Sequence, residues 1–200
     1  TAVLLLAAGA SRRMPGPSKL LREIDGEAIV TRAVRAALDA GVGPVLVVTG
    51  TSAAADDVRA ALPDEARDVR ADHADEGMAA SLRAGLAELP DGLDALFVAL
   101  GDMPFVRPGD YRALAGAWTP GAIVVPTFEA RRGHPVLWSI EFAPELSRVT
   151  GDRGGRAILR THAGAIREVP ADGDRVVLDI DDPEDLARAR DRSGVRGSNS

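Results

Sequence analysis

The sequence contains no cysteine, and this absence excludes disulfide bonds, cysteine-ligated zinc and iron–sulfur clusters. It has only three histidines, His73, His134 and His162, which are scattered without the spacing of a zinc site. Acidic residues outnumber basic ones, so the formal net charge is -6. This balance argues against nucleic acid or an anionic membrane surface as the main partner.

The sequence also lacks the pattern of a secretory signal. The first ten residues, TAVLLLAAGA, are apolar but have no basic leading region, and Arg12 follows too soon for a membrane span. We therefore expect a cytoplasmic protein. Its 200 residues, 46% of them hydrophobic, suffice for one domain with a real core.

Short apolar runs alternate with helical patterns along the first part of the chain. The runs are at residues 2–6, 45–48, 95–100 and 123–125. Each is bounded by glycine, proline or polar residues, as is typical of strands covered on both faces. Apolar residues recur at helical spacing over 29–38, before Gly41, and over 78–89, before Pro90. The alternation predicts an open, mostly parallel, doubly wound α/β sheet.

The pattern is looser after residue 126. We predict a strand at 134–138, a short helix at 154–162 and a late strand at 176–180. Asp182 followed by Pro183 is a strong helix start, because aspartate caps helices and proline suits their first position. With no internal repeat or linker visible, we expect one domain over residues 1–192 and a disordered tail over 193–200.

The first predicted strand is followed by a glycine-containing turn and three cations, Arg12, Arg13 and Lys19. Ligands of open α/β sheets bind beyond the carboxyl ends of strands, and such a loop can direct N–H groups and cations at a phosphate. The alternative is an ordinary connection with solvated basic residues. Neither the dinucleotide fingerprint G-x-G-x-x-G nor the Walker A motif fits, since the chain reads GASRRM from Gly9.

Two acidic segments are candidates for binding a metal. Asp102 follows the run at 95–100, so we expect it at the carboxyl edge of the sheet, where Mg²⁺ would find a hard oxygen ligand. The alternative is a turn-forming aspartate. Asp179 and Asp181 precede the helix cap and alternate on the predicted late strand, so they share a face. We choose Asp181 as the second metal contact, with Asp179 as a close competitor.

The first loop resembles the signature of the MobA-like nucleotidyltransferases, L-A-A-G-x-S-x-R-M followed shortly by lysine. Here it reads LAAGASRRM, with one residue more before the lysine than is common. The resemblance implies a glycosyltransferase-A-like fold with a small acceptor-side lobe. It also implies that Lys19 neutralises the α-phosphate and Arg13 holds the β- and γ-phosphates, whereas Arg12 is outside the motif. The positions that it assigns to nucleotide binding are Leu6, Ala7, Ala8, Gly9, Ser11, Arg13, Lys19, Gly77 and Ser81.

Further segments are typical of the molybdenum cofactor cytidylyltransferase branch. They read GMAASLRAG from 77, GHPVLW from 133, GDRGGR from 151 and DIDDPED from 179. The branch has Phe at Trp138 and Ala at Gly155. By this resemblance His134 and Arg156 belong to the acceptor side. The alternatives are a turn with a surface histidine at 133–135 and a flexible lid hinge at 154–156. Ala8 stands where guanylyl-transferring relatives have glycine, and its methyl group would crowd a purine, which favours CTP.

The resemblance implies transfer of CMP from CTP to the terminal phosphate of a molybdopterin-type acceptor, with release of pyrophosphate. Mg²⁺ would bind Asp102 and Asp181, residues 1–125 would form the nucleotide-binding half, and 126–192 the acceptor and metal half. A client molybdoenzyme is the further partner it suggests. The alternatives are a cytidylyltransferase for a sugar-like phosphate, an NAD(P)H-dependent oxidoreductase on the same fold, and a non-catalytic chaperone for the molybdenum cofactor.

Overall fold

The computed structural model describes residues 1–9, 18–151 and 155–194. Its strands are β1 (Ala2–Leu6), β2 (Glu23–Ile24), β3 (Glu27–Ala28), β4 (Val45–Thr49), β5 (Arg67–Arg70), β6 (Ala95–Leu100), β7 (Ile123–Phe128), β8 (Arg131–Arg132), β9 (Val136–Ser139) and β10 (Ile166–Pro170). Its α-helices are α1 (Ile29–Ala40), α2 (Ala53–Ala60), α3 (Met78–Ala87), α4 (Pro108–Ala117), α5 (Ala143–Leu146), α6 (Arg156–Thr161) and α7 (Pro183–Gly194). Short 3₁₀ turns include Lys19–Leu21, Ala74–Glu76 and Asp174–Val177.

The main sheet runs in the order β10-β7-β9-β6-β1-β4-β5, and β8 pairs with β7. The pairs β1–β4, β1–β6, β4–β5 and β7–β10 are parallel. β9 is antiparallel to both of its neighbours, β6 and β7. The later part of the chain thus continues the sheet that the earlier part begins. The prediction of an open, mostly parallel sheet is confirmed.

The core lies on both faces of this sheet. Along β1, Val3 and Leu5 pack into one apolar cluster, whereas Ala2 and Leu4 pack into the other, because successive side chains of a strand point to opposite faces. The first cluster includes residues of α1, α2, α4 and α7, and the second includes residues of α3, α5 and α6. The sheet is therefore doubly wound, and an apolar run without polar alternation is what each central strand requires.

The helix ends follow the sequence signals. Helix α1 ends at Gly41, which adopts the left-handed conformation with φ 65°. Helix α3 packs close to the sheet at Gly85, where a Cβ atom would be 2.3 Å from Cδ1 of Leu4. Helix α7 begins after Asp182, whose Oδ1 accepts a 2.8 Å hydrogen bond from the backbone N–H of Asp185. The predicted cap is confirmed.

The predicted late strand at 176–180 is wrong. Residues Asp174–Val177 form a 3₁₀ turn, and 178–180 are not in a strand. The backbone of this segment is bonded to two loops: the carbonyl of Val176 accepts from the N–H of His134 at 2.8 Å, and the N–H of Ile180 donates to the carbonyl of Asp102 at 3.0 Å. Val176 and Ile180 are buried, so their apolar pattern reflects tertiary packing.

Three predicted boundaries shift. The strand expected at 134–138 begins at Val136, after Pro135, which has no N–H to donate. The short helix expected at 154–162 is α6, and residue 154 is outside the described residues. Helix α7 continues through Gly194, so the first two residues of the expected tail are helical, and 195–200 are outside the described residues. Among the described residues, no helix has the length and apolar character to cross a membrane.

Candidate functional site

A cleft of about 630 Å³ opens at the carboxyl ends of β1 and β6. It brings together all the predicted site residues that the structure describes. They are Leu6, Ala7, Ala8, Gly9, Lys19, Gly77, Ser81, Asp102, His134, Arg156, Asp179 and Asp181. Ser11 and Arg13, like Arg12, lie outside the described residues, so their predicted roles stay predictions. Residues that are far apart in the sequence therefore share one surface.

Lys19 forms the centre of the charged end of this cleft. Its Nζ donates to Oδ2 of Asp102 and to Oδ1 of Asp181, each at 2.7 Å. The three side chains come from the first loop, from the end of β6 and from the segment before α7. Lys19 is largely buried, with 12% of its side chain exposed. The ammonium group thus joins three segments that converge where a phosphate-binding loop was expected.

The electrostatics of this end favour a further positive charge. Burial opposes the charge on Lys19, but the charges and hydrogen bonds of Asp102 and Asp181 outweigh burial, so the pKa of Lys19 is raised. Burial, together with the charges of Asp181 and Asp102, raises the pKa of Asp179. One ammonium group therefore faces three carboxyl groups, and an added cation would relieve their mutual repulsion.

The carboxylates are fixed by backbone hydrogen bonds. The N–H of Gly101 donates to the carbonyl of Leu6 at 2.9 Å, which ties the turn before Asp102 to β1. The N–H of Asp181 donates to Oδ2 of Asp185 at 3.0 Å, so the first turn of α7 holds this residue. The sequence argument placed Asp179 and Asp181 on a strand, and that reason is wrong. Both nevertheless line the cleft.

A divalent ion suits this arrangement if it binds together with a substrate that completes its coordination shell. Within the described ranges, no three acidic or histidine side chains are already placed to hold a metal ion by themselves. However, Oδ1 of Asp102 is buried and has no hydrogen-bond partner there. Mg²⁺ commonly takes only one or two carboxylates and completes its shell with water and substrate phosphates. Asp102 and Asp181 could supply such a pair of hard oxygen ligands.

The other wall of the charged end is formed by the loop after β1 and by the start of α3. The N–H of Ala7 donates to the carbonyl of Val48 at 2.8 Å, which holds this loop against β4. Gly77 precedes α3 with φ 109°, a conformation that L side chains rarely adopt. Ser81 is buried in the first turns of α3 and lines the cleft. The predicted nucleotide-binding positions that the structure describes therefore line the same cleft.

His134 and Arg156 line another part of the same cleft. Burial lowers the pKa of His134, so the imidazole is neutral at pH 7, and its Nδ1 lies 3.4 Å from the carbonyl oxygen of Val98. Gly133 permits this placement, because a Cβ atom there would be 1.9 Å from the carbonyl oxygen of Val176. Arg156 is the first residue of α6. The two predicted acceptor residues thus lie on the same cleft.

Sequence reasoning missed the apolar residues that line the cleft near its predicted acceptor side. They include Val125, Val136, Trp138, Leu146 and Leu159. Their periodicity is that of ordinary core residues, so the sequence offers no signal that they face a cavity. One signal was present at Trp138, where the indole replaces the phenyl ring of the resembled pattern. Trp138 lines the cleft.

The comparisons with known proteins agree with this geometry. The model of the MobA-like NTP transferase domain matches residues 3–166. Nicotine blue oxidoreductase of Paenarthrobacter nicotinovorans is 30% identical over 193 residues, covering 92% of this chain and 94% of that protein. The 3-deoxy-manno-octulosonate cytidylyltransferase of Mesorhizobium japonicum is 33% identical over 129 residues, 64% of this chain but 51% of that protein. The chain thus spans only about half of that cytidylyltransferase.

Solved structures are similar over nearly the whole chain. Rv0371c of Mycobacterium tuberculosis H37Rv superposes with a TM-score of 0.84 at 31% identity, covering 95% of this chain and 96% of that one. A second Rv0371c structure is a complex with manganese. The nucleotidyl transferase Mth528 from Methanothermobacter has a TM-score of 0.85 at 27% identity, with 98% of each chain covered. The similarity therefore includes both ends of the cleft.

Proposed function

The chain belongs to the MobA-like NTP transferase family, and from that membership we propose that it is a Mg²⁺-dependent cytidylyltransferase. It transfers CMP from CTP to the terminal phosphate of a molybdopterin-type acceptor and releases pyrophosphate. The observation that carries this proposal is the position of Lys19 between Asp102 and Asp181, beside the loop after β1. A site of this kind suits a triphosphate and its metal ion.

The reaction asks for positioning and charge neutralisation more than for covalent chemistry. An oxygen of the acceptor phosphate forms a bond to the α-phosphorus while the bond between that phosphorus and the pyrophosphate oxygen breaks. Pyrophosphate leaves with the electron pair. The acceptor is already anionic, so no strong general base is needed. His134, neutral at pH 7, therefore serves to bind or orient the acceptor.

Asp102 and Asp181 would hold Mg²⁺ against the triphosphate, with Asp179 as the competing ligand. When bound, Mg²⁺ supplies positive charge that stabilises the phosphate oxygens during transfer. Lys19, whose Nζ lies between the two carboxylates, would direct its positive charge at the α-phosphate. The loop after β1 and the start of α3 position the nucleotide. The similar protein Rv0371c has been solved in complex with manganese, which supports the use of a divalent ion.

Cytosine is the base that the site favours, because the methyl group of Ala8 would crowd a purine. The match to a 3-deoxy-manno-octulosonate cytidylyltransferase supports CTP, although it leaves a sugar-like acceptor as an alternative. The client molybdoenzyme, the chaperone alternative and the cytoplasmic location stay predictions. So do the division into halves at 125 and the roles of Arg13 and Ser11.

A second candidate function is an NAD(P)H-dependent oxidoreductase. One observation favours it: nicotine blue oxidoreductase matches this chain over 94% of its own length. Hydride transfer, however, gives no role to the arrangement of one lysine and three carboxyl groups. The cytidylyltransferase proposal accounts for that arrangement, and we therefore prefer it.

The test is a screen of the four NTPs with Mg²⁺, each with and without a molybdopterin-type acceptor. We expect pyrophosphate to be released with CTP only when the acceptor is present, and more slowly with GTP. A parallel assay follows the absorbance of NADPH and NADH. Loss of that absorbance with nicotine blue, with no pyrophosphate from any NTP, would replace the proposal with the oxidoreductase.

A further inference from the structure

The wall of the cleft contains a hydrogen-bond donor that has no partner among the described residues. Trp138 is 3% exposed and lines the cavity, and its Nε1 is buried without a hydrogen bond to any described residue. The indole of Trp118, by contrast, donates to Oγ of Ser139 at 3.0 Å. Buried tryptophan N–H groups usually have a partner, so an orphaned one in a cavity wall is a group that a ligand would satisfy.

The position of Gly155 shows where this donor lies. A Cβ atom at Gly155 would be 2.7 Å from Cζ2 and 2.9 Å from Cη2 of Trp138. In an indole, Cζ2 is bonded to the ring carbon that carries Nε1, so the ring edge near the donor packs against Gly155. Phe142 contacts the indole edge-on, with ring centroids 6.2 Å apart. The indole is therefore held at the start of α6, beside Arg156.

The two positions depend on each other sterically. A methyl group at residue 155 would overlap the six-membered ring of Trp138, so the larger ring at 138 requires the smaller residue at 155. These are the two positions at which the chain departs from the resembled Phe and Ala. The pair adds to the cavity wall a donor that phenylalanine would not provide.

The other side chains that line this part of the cleft suit a flat ring better than a sugar. The apolar ones include Val125, Val136, Leu146 and Leu159. The polar side chains that line the cleft outside the charged end include Arg132, His134 and Arg156, besides the indole N–H. Each hydroxyl group of a buried sugar would need its own partner, whereas a heteroaromatic ring buries two apolar faces and presents polar atoms only at its edge.

We propose that Trp138 selects the acceptor, with its Nε1–H donating to a ring nitrogen or carbonyl oxygen of a planar heteroaromatic group. Gly155 is the positioning residue that leaves room for the indole. This inference rests on the proposed function, since it takes the part of the cleft lined by His134, Trp138 and Arg156 as the acceptor site. It assigns to Trp138 the choice between a heteroaromatic acceptor and a sugar phosphate.

The test measures binding without turnover, using pterin-6-carboxylate as the planar probe and ribose 5-phosphate as the sugar probe. Trp138→Phe is expected to weaken pterin binding about five- to tenfold, as the loss of one hydrogen bond predicts. The dissociation constant of Mg·CTP should stay within about twofold, which also shows that the variant is folded. Trp118→Phe, which removes an indole outside the cleft, is the matched control and should leave both constants unchanged.

Gly155→Ala separates the role in binding from mere packing. In the wild-type background the added methyl displaces the indole, so pterin binding should weaken at least about fivefold. In the Trp138→Phe background the same change should cost less than about twofold, because the smaller ring leaves room. Equal losses in both backgrounds would mean that Gly155 does not act through Trp138.

Pterin binding that is absent in the wild type, or unaffected by Trp138→Phe, would overturn the inference. So would ribose 5-phosphate binding as tightly as the pterin. Failure of this inference can be distinguished from failure of the proposed cytidylyltransferase function. Pterin binding that depends on Trp138, with no pyrophosphate released from CTP, would refute only the transferase. Pyrophosphate release from CTP, with no effect of Trp138 on pterin binding, would refute only the acceptor role.

Discussion

The two ends of the cleft are built differently. At the charged end, Lys19, Asp102 and Asp181 come from loops, and backbone hydrogen bonds to β1 and α7 hold the segments that carry the acids. At the apolar end, Trp138 and its neighbours come from strands and helices and are held by packing. The charged end is suited to neutralising a polyphosphate, and the apolar end to recognising a shape. Substitutions at the first should change the rate, and at the second the choice of acceptor.

The largest effect is expected at the charged end, from Asp102→Asn. The amide keeps the shape but removes negative charge from the proposed metal ligand, so turnover should fall at least about a hundredfold. Steady-state pyrophosphate release measures the change. Asp94→Asn is a matched control, because Asp94 is exposed and precedes the opposite end of the same strand, β6. Near-normal activity of the Asp102→Asn variant would show that Asp102 only forms a turn and does not bind the metal ion.

Lys19→Ala should lower turnover at least about tenfold but weaken Mg·CTP binding less than about threefold, because the contact strengthens as charge develops at the α-phosphate. Removing the ammonium also leaves Asp102 and Asp181 without their shared cation. The melting temperature of the variant should therefore fall and be partly restored by Mn²⁺. An unaltered single-turnover rate would leave Lys19 a binding residue.

Arg12 and Arg13, which precede Lys19 in the sequence, provide a comparison within the first loop. Arg13→Ala should mainly weaken Mg·CTP binding, since Arg13 is assigned to the β- and γ-phosphates. Arg12→Ala should change neither binding nor turnover. Titration calorimetry and single-turnover rates for both variants check this assignment. Reversed behaviour of the two arginines would mean that the extra residue before Lys19 shifts the loop.

The two ends also differ in how far the sequence predicts them. Asp102 and Lys19 were predictable, because acids and cations just beyond apolar strands meet at one edge of a parallel sheet. The segment of Asp181 was predicted as a strand, since its alternation of apolar and acidic residues does not reveal hydrogen bonds to distant loops. Trp138 was missed as a site residue, because a buried aromatic in a strand has the same pattern whether it faces a core or a cavity.

A smaller effect is expected for the nucleotide base. If the methyl group of Ala8 crowds a purine, the wild type should use CTP better than GTP, and Ala8→Gly should narrow that ratio by about tenfold or less. Values of kcat/KM for the two nucleotides test this expectation. A preference of the wild type for GTP would refute the assignment of the base, although not the transferase itself.

The smallest effect concerns stability at the acceptor end. Because burial lowers the pKa of His134, the folded state favours the neutral ring. The contribution of the neutral ring to the free energy of unfolding is fully present above the pKa of the unfolded state, about 6.5. It is lost as the pH falls through the lower pKa of the folded state. From pH 7.5 to 5.5, His134→Gln should therefore lose less free energy of unfolding than the wild type, by on the order of 1 kcal/mol.

Urea titrations at the two pH values measure this difference. His73→Gln is the control, because the side chain of His73 is 75% exposed. That variant should lose as much stability as the wild type between the two pH values. An identical pH dependence of the His134 variant and the wild type would show that His134 is not held neutral by burial.

Lys19 permits the most direct test, because it is the only lysine in the sequence. Lysine labelled with ¹³C and ¹⁵N gives side-chain NMR signals from this residue alone. We expect these signals to shift when Mg·CTP is added, as Nζ leaves the two carboxylates for the α-phosphate. NADPH at the same concentration should leave them in place. Lys19 signals that do not shift with Mg·CTP, or that shift only with NADPH, would contradict a triphosphate site centred on Lys19.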